Sequence, residues 1–193
     1  MRIGTPVAAS ALSVLRAPLK STPGSGGPAP SPLGALAYGQ QAEAPWMSSV
    51  NAPVLLGGTP QADHWLAGGR IDAGRTGAVR WRTDGHWAFG TIDLPEAGEG
   101  LEPLADTAYR DLFQALQDTG CPHLLRIWNY LPRINEDGGG LERYRQFNVG
   151  RQRAFVDAGL GVLEGAPAAC ALGLHRGGLS IRFLAGRSAP VAV

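Results

Sequence analysis

The clearest pattern of hydrophobic and polar positions lies in the middle of the chain. In GAVRWRTDGHWAFGTIDL, residues 77–94, polar and apolar side chains alternate up to Asp84-Gly85, as in a half-buried strand. Glycine tolerates the positive φ that tight hairpin turns need, so this stretch predicts a hairpin turning at Gly85. In PLADTAYRDLFQALQDT, residues 103–119, apolar residues recur at helical spacing, and Gly120 follows. That pattern predicts a helix ending at this glycine.

The remaining pattern predicts further strands and a second helix. HLLRIWNYL, residues 123–131, is nearly continuous in apolar residues, which suits a central strand covered on both faces. LERYRQFNVGRQRAFVDA, residues 141–158, reads as a helix with one apolar face. Short apolar runs bounded by glycine or proline predict strands at 34–39 and 52–58, and two strands over 168–186. This order predicts an α+β fold, with two helices packed on one face of a mixed β-sheet.

The composition of residues 1–32 differs from that of the rest of the chain. They contain no acidic residue, and STPGSGGPAPSP is rich in residues that interrupt helices and strands. We therefore expect residues 1–32 to form a low-complexity, disordered tail and the folded domain to begin near Leu33. A chain of 193 residues fits one such domain with a tail.

Charge and composition narrow the range of partners. The formal net charge is +1, which gives no overall field to attract nucleic acid or an anionic membrane. No apolar run approaches the roughly 20 residues of a membrane-spanning helix. Arginine supplies all but one of the 17 basic residues. Either a GC-rich coding sequence explains this bias, or the guanidinium groups serve to bind carboxylates or phosphates.

The sequence offers no pattern for a metal, a cofactor or a nucleophilic triad. Cys121 and Cys170 form no Cys-x-x-Cys pair, which suggests reduced thiols and a cytoplasmic location. The histidines are scattered without zinc-ligand spacing: His64, His86, His123 and His175. No serine lies in a G-x-S-x-G turn, and no glycine-rich run has phosphate-loop spacing. We therefore expect neither a metal nor an organic cofactor.

Candidate chemistry concentrates in RIWNYLPRINEDGGGLERYRQFNVGRQRAF, residues 126–155. Strand alternation puts Arg126 and Tyr130 on one face together with Trp128. On the second helix, Arg151 falls within the apolar stripe and Arg143 lies on its flank. A buried guanidinium must be paired or must meet an anionic ligand, because burying it alone is very unfavourable.

We therefore predict that Arg126, Tyr130, Arg143 and Arg151 bind a substrate carboxylate and ring. The alternative for all four is a purely structural role; for Arg126 it is an ion pair with a carboxylate such as Glu142 or Asp157, with Trp128 packed under the helices. Arg145 and Arg153 point away and are expected to be solvated. Gly150, in the middle of a helix, indicates close approach of another backbone or of a ligand. Asn129 is expected to hold a neighbouring loop backbone.

The run LLRIWNYLPRIN followed by LERYRQFNVGRQRAF resembles the chorismatase family, densely over about residues 120–187 and loosely over 34–119. The resemblance implies hydrolysis of chorismate, a ring-bearing dicarboxylate, to pyruvate and a dihydroxycyclohexadiene or hydroxybenzoate acid. It also implies a fold like that of RidA/YjgF modules, two of which are linked in the family.

The resemblance further implies that this chain alone is incomplete for catalysis. Family members continue, after a segment like GRSAPVAV, into a second module with an Asn-Pro-Arg-Gln type motif and the catalytic acidic residue. Residues 33–187 then correspond to the N-terminal RidA-like domain, and 188–193 to the end where the second module follows. The alternative is a non-catalytic RidA-like binding or assembly module, as a homotrimer or paired with a second module. Ala169 stands where RidA-type deaminases place a carboxylate-binding arginine, which argues against imine deamination.

Overall fold

The computed structural model describes residues 11–19, 30–52, 59–160 and 167–190. These residues form two β-sheets and two α-helices. The strands are β1 (Leu12–Pro18), β2 (Ser31–Tyr38), β3 (Met47–Val50), β4 (Gln61–Ala67), β5 (Asp72–Thr76), β6 (Val79–Thr83), β7 (Trp87–Leu94), β8 (His123–Pro132), β9 (Ala168–Leu174) and β10 (Leu179–Gly186). The helices are α1 (Leu101–Thr119) and α2 (Arg143–Asp157).

The larger sheet has six strands in the order β5-β6-β7-β10-β8-β9. Its neighbours are antiparallel except β8 and β9, which run parallel on either side of α2 in sequence. The smaller sheet has four strands in the order β1-β4-β2-β3. Both helices pack on one face of the six-stranded sheet, and the four-stranded sheet packs on the other face.

The two faces of the six-stranded sheet pack into two different hydrophobic cores. On the helix side, Ile127 and Phe183 from the six-stranded sheet belong to the same core as Phe147 of α2. Between the sheets, the Trp65 ring stacks on Phe89 with centroids 5.2 Å apart and meets Trp128 edge-on at 5.3 Å. Because side chains alternate along a strand, the six-stranded sheet contributes to both cores.

The predicted hairpin, both helices and the strands at 34–39, 123–131 and 168–186 are confirmed. At the hairpin turn, Gly85 has φ 83°, and the Asp84 carboxylate accepts hydrogen bonds from the backbone N–H groups of His86 and Trp87. The α+β fold with two helices on one face of a mixed sheet is also confirmed.

The expectation of a disordered tail is wrong for two segments of residues 1–32. Strand β1 pairs antiparallel with β4, and β2 already begins at Ser31. The pairing of β1 includes two hydrogen bonds from Arg16 to Asp63, 2.6 and 2.8 Å long, which the local composition could not reveal. Residues 1–10 and 20–29 lie outside the described residues, as do residues 53–58 of the strand predicted at 52–58. The sequence does not predict β3 and β5, which have only four and five residues, or β4, whose QADHWLA shows no regular alternation of polar and apolar residues.

Gly150 lies where α2 crosses α1 at close range. A Cβ atom built on Gly150 would lie 2.0 Å from the backbone carbonyl oxygen of Glu102. The prediction of a close approach is therefore confirmed, and the approaching group is the backbone of α1. Arg153 pairs with Glu102 at the same crossing, so it is not simply solvated.

Replacing Gly150 with alanine is expected to lower the free energy of unfolding by about 1–3 kcal/mol, because the new methyl group forces the helices apart. The sign of this change in stability is informative, because without a clash alanine would stabilise a helix by about 1 kcal/mol relative to glycine. Urea unfolding of both proteins measures the difference. Gln152→Ala, at an exposed position of α2, is the control and should change stability by no more than about 0.5 kcal/mol. A Gly150→Ala protein as stable as the parent would contradict the close packing.

Candidate functional site

The four predicted site residues lie on two sides of the six-stranded sheet. Arg126 and Tyr130 project from β8 on the face that meets the four-stranded sheet. Arg143 and Arg151 belong to α2, which covers the opposite face. Within this chain the sheet separates the two pairs, and the predicted binding of substrate by all four residues stays a prediction. Periodicity along the strand and the helix predicts the face on which each residue lies. It does not predict how the sheets and helices are layered.

Arg143 is held by partners within the chain. Its side chain is 5% exposed, and its two terminal nitrogens donate to both carboxylate oxygens of Glu96, at 2.8 and 2.6 Å. Its Nε donates to the backbone carbonyl of Pro132 at 2.9 Å. The hydrogen bonds from Arg143 lower the pKa of Glu96, and they outweigh the opposing effect of burial. This geometry fits a structural role, joining the start of α2 to the segment after β7.

Arg151 is half-buried and lies 5.9 Å from the centre of the Phe147 ring. Nearby, the Tyr109 hydroxyl donates to the side-chain oxygen of Asn129 at 2.9 Å, and the Asn129 amide donates to the carbonyl of Cys170. Burial raises the pKa of Tyr109 to about 12, although Arg151 and Asn129 oppose the rise. The predicted role of Asn129 in holding backbone is confirmed, but the backbone belongs to strand β9 rather than to a loop.

Arg126 is exposed, and its guanidinium carbon lies 5.3 Å from the centre of the Trp128 ring. The alternative prediction of an ion pair with Glu142 or Asp157 is wrong, because those carboxylates pair with Arg145 and Arg110. The expected packing of Trp128 under the helices is also wrong, because its ring faces Trp65 of the other sheet.

Tyr130 is fully buried on the same strand face as Arg126, and Trp128 lies between them. Its hydroxyl lies 3.2 Å from the hydroxyl of Tyr38, which comes from the end of β2. Burial is the main cause that raises the pKa of Tyr130, and the Tyr38 hydroxyl adds to it. Tyr130 therefore stays protonated and can serve as a hydrogen-bonding group but not as a base near neutral pH.

Sequence reasoning missed Arg182, the largest fully buried side chain of the described residues. One terminal nitrogen donates to the carbonyls of Ile92 and Ile181 at 2.7 and 2.9 Å. The other donates to the Asp93 carboxylate at 2.7 Å and to the carbonyl of Ser49 at 3.2 Å. The available signal was an arginine at a strand position between Ile181 and Phe183, on the face shared with Ser180.

A cavity of about 380 Å³ opens beside this network. Its wall includes Asp93, Ser180 and Arg176, and the turn at residues 39–41 forms another side. The Ser180 hydroxyl donates to Asp93 at 2.8 Å. Ser180 pairs with Tyr130 across β10 and β8, so the two tyrosines lie next to this space. We call it the β10 cavity.

The described residues contain neither a candidate metal-binding cluster nor a candidate membrane-spanning helix. No cluster of three or more metal-ligating side chains occurs among the described residues. Neither α1 nor α2 is apolar enough over a sufficient length to cross a membrane.

Comparison with known proteins shows the family to which the chain belongs. Residues 63–185 match the sequence model of the family described as Chorismatase FkbO/Hyg5-like, N-terminal. The chain belongs to this family. A protein named chorismatase from Streptomyces hygroscopicus is 35% identical over 124 residues, which cover 64% of this chain and 36% of that protein. A 3-hydroxybenzoate synthase from the same organism is 32% identical over 130 residues, covering 67% of this chain and 38% of that protein.

The fold comparison agrees with the family. A crystal structure of a chorismatase superposes with a TM-score of 0.80 at 26% identity, over 94% of this chain and 56% of that chain. A YjgF-family protein from Neisseria meningitidis matches with a TM-score of 0.44 at 21% identity over 62% of this chain and 96% of that one. The family domain therefore spans little more than a third of the curated relatives, and about half of the solved chorismatase.

Proposed function

We propose that this chain is the N-terminal domain of an enzyme that hydrolyses chorismate to pyruvate and a ring acid. The observation that carries the proposal is the family match over residues 63–185. The names of the curated relatives, chorismatase and 3-hydroxybenzoate synthase, support the same chemistry. A cytoplasmic location stays a prediction, as do the expected absence of a cofactor and the homotrimer or two-module assembly.

Arg126 is the substrate contact that the geometry favours, whereas contact with the fully buried Tyr130 stays a prediction. Arg126 has no carboxylate within ion-pair distance among the described residues, and the Trp128 ring supports its guanidinium group. A planar guanidinium in this state suits bidentate binding of a substrate carboxylate. The protonated Tyr130 hydroxyl and the β10 cavity lie on the same face of the sheet. Arg143 is less suitable, because Glu96 already occupies its terminal nitrogens.

The catalytic acid is proposed to come from outside the described residues. Cleaving the enol ether of chorismate requires a general acid that is still protonated near neutral pH. Hydrogen bonds lower the pKa values of Glu96, Asp118 and Asp137, which is the wrong direction for that role. Asp93, beside the β10 cavity, is paired with both Arg80 and Arg182. In this proposal the domain binds and orients substrate, and another segment donates the proton.

Assays of pyruvate release test both parts of the proposal. The 193-residue chain alone should release no pyruvate from chorismate above the uncatalysed rate, because the proposed catalytic acid lies outside the described residues. Fusing the remaining part of the Streptomyces hygroscopicus chorismatase after residue 187 should restore turnover. Turnover by the chain alone would contradict the division of labour. A folded fusion that binds no chorismate and releases no pyruvate would contradict the proposed substrate.

In the active fusion, Arg126→Gln should lower kcat/KM by about tenfold or more, since a charge-assisted contact is lost. Arg145→Gln is the matched control, because that arginine is exposed on α2 and lies on the other side of the sheet. Its kcat/KM should stay within about twofold of the parent. Equal effects of the two substitutions would argue against a substrate contact at Arg126.

A further inference from the structure

A second cavity of about 420 Å³ lies at the other edge of the six-stranded sheet. It opens between β5, β6 and β7 on one side and the segment that leads into β3 on the other. Trp46, Met47 and Phe89 contribute apolar surface, and Arg80 and Arg82 contribute charge. No acidic residue lines it among the described residues. A volume of several hundred Å³ with apolar walls and a few polar groups is typical of small-molecule sites.

Arg82 is the unusual member of this wall. One terminal nitrogen donates to the carbonyl of Pro32 at 3.1 Å, but its buried Nε has no acceptor among the described residues. No described carboxylate lies within ion-pair distance of Arg82. Burial lowers the pKa of Arg82, which reflects the loss of water around the charged group. A half-buried guanidinium without a carboxylate partner is well suited to bind an anion.

The balance of charge on this face of the sheet also favours an anionic ligand. On this face, β6, β7 and β10 carry three arginines, Arg80, Arg82 and Arg182, against one carboxylate, Asp93. Asp93 pairs with the first and third of them, so Arg82 is left with the excess positive charge.

We propose that this cavity binds a small carboxylic acid with a flat ring. The carboxylate accepts a charge-assisted hydrogen bond from a terminal nitrogen of Arg82, and the ring packs against Trp46, Phe89 and Met47. Apolar walls favour such a ligand over inorganic phosphate, which has no surface to bury there. The site is separate from the β10 cavity and does not depend on the proposed reaction.

Titration of the chain with benzoate, followed by NMR of the tryptophan indole N–H signals, tests the proposal. We expect saturable movement of the Trp46 signal with a dissociation constant below about 10 mM. Benzamide, the neutral isostere, should bind about tenfold more weakly or worse, because it lacks the charge that Arg82 requires. No saturable change with benzoate, or equal binding of benzamide, would overturn the proposal.

A matched pair of variants at Ala73 probes the role of Arg82 without removing it. Ala73 is exposed on β5 and lies directly across from Arg82 in the antiparallel register. A glutamate at this position can pair with Arg82, whereas a glutamine has the same size without the charge. Ala73→Glu should weaken benzoate binding about tenfold, and Ala73→Gln by no more than about twofold. Equal affinities of the two folded variants would overturn the assignment of Arg82 as the anion contact.

Discussion

Replacing Arg143 with methionine is expected to lower the free energy of unfolding by about 3–5 kcal/mol, because it leaves the Glu96 carboxylate without its partner. The side chains of Arg143 and Glu96 are 5% and 13% exposed, so solvent screens their interaction poorly. The substitution also removes the donor to the Pro132 carbonyl. Urea unfolding at neutral pH provides the measurement.

Arg145→Met is the matched control for this prediction. Arg145 lies two positions further along α2, its side chain is 72% exposed, and its nearest Glu142 oxygen is 3.6 Å away. Surface ion pairs of this kind contribute little, so the control should change stability by no more than about 0.5 kcal/mol. A double-mutant cycle with Glu96→Gln isolates the pair. If the two single substitutions simply add, the pair makes no net contribution and the prediction is wrong.

The same ion pair makes stability depend on pH in a defined direction. The folded pKa of Glu96 lies below the ordinary value of 4.5. The pair's contribution is therefore fully present above pH 4.5 and is lost as pH falls through the folded pKa, where the carboxylate becomes protonated. The Arg143→Met protein should lose less stability than the parent over that acidic range.

Replacing Arg182 with methionine is expected to lower the free energy of unfolding by roughly 3 kcal/mol. The guanidinium is 1% exposed and joins three strands, since its acceptors lie on β7, β10 and β3. Methionine fills much of the volume but satisfies none of the buried carbonyls. Thermal and urea unfolding should both show the loss.

Arg80→Met is the control that separates the effect of burial on stability from the effect of ion pairing with Asp93. Arg80 pairs with the same Asp93 carboxylate, but its side chain is 67% exposed. Its loss should change stability by less than about 1 kcal/mol. If the Arg80 and Arg182 variants were equally destabilised, the ion pairs with Asp93 rather than the buried backbone contacts would determine the stability.

Local patterns were sufficient for much of the fold. The hairpin follows from alternation up to Asp84-Gly85, and α1 follows from apolar spacing and Gly120. Both depend on interactions between residues close in sequence. Strand β1 could not be predicted in the same way, because it is ordered by pairing with β4, about fifty residues later in the chain.

In the candidate site, too, local sequence patterns predicted some features, whereas contacts between distant residues could not be predicted. Sequence periodicity correctly grouped Trp128 with Tyr130 and selected an arginine-rich segment whose motif is that of the chorismatase family. It could not show that Arg143 is bound by Glu96, which lies 47 residues earlier. It also missed Arg182, because the acceptors that hold its guanidinium come from three separate strands.

By itself the sequence determined the helices, the hairpin, the α+β class and the family resemblance, all of which arise from short-range periodicity or from a contiguous motif. Only the tertiary structure decided which layer covers each face of β8, and therefore that Arg126 and Tyr130 are separated from Arg143 and Arg151. The physical reason is that alternation assigns side chains to faces, whereas burial and charge pairing depend on elements that meet only after the chain has folded.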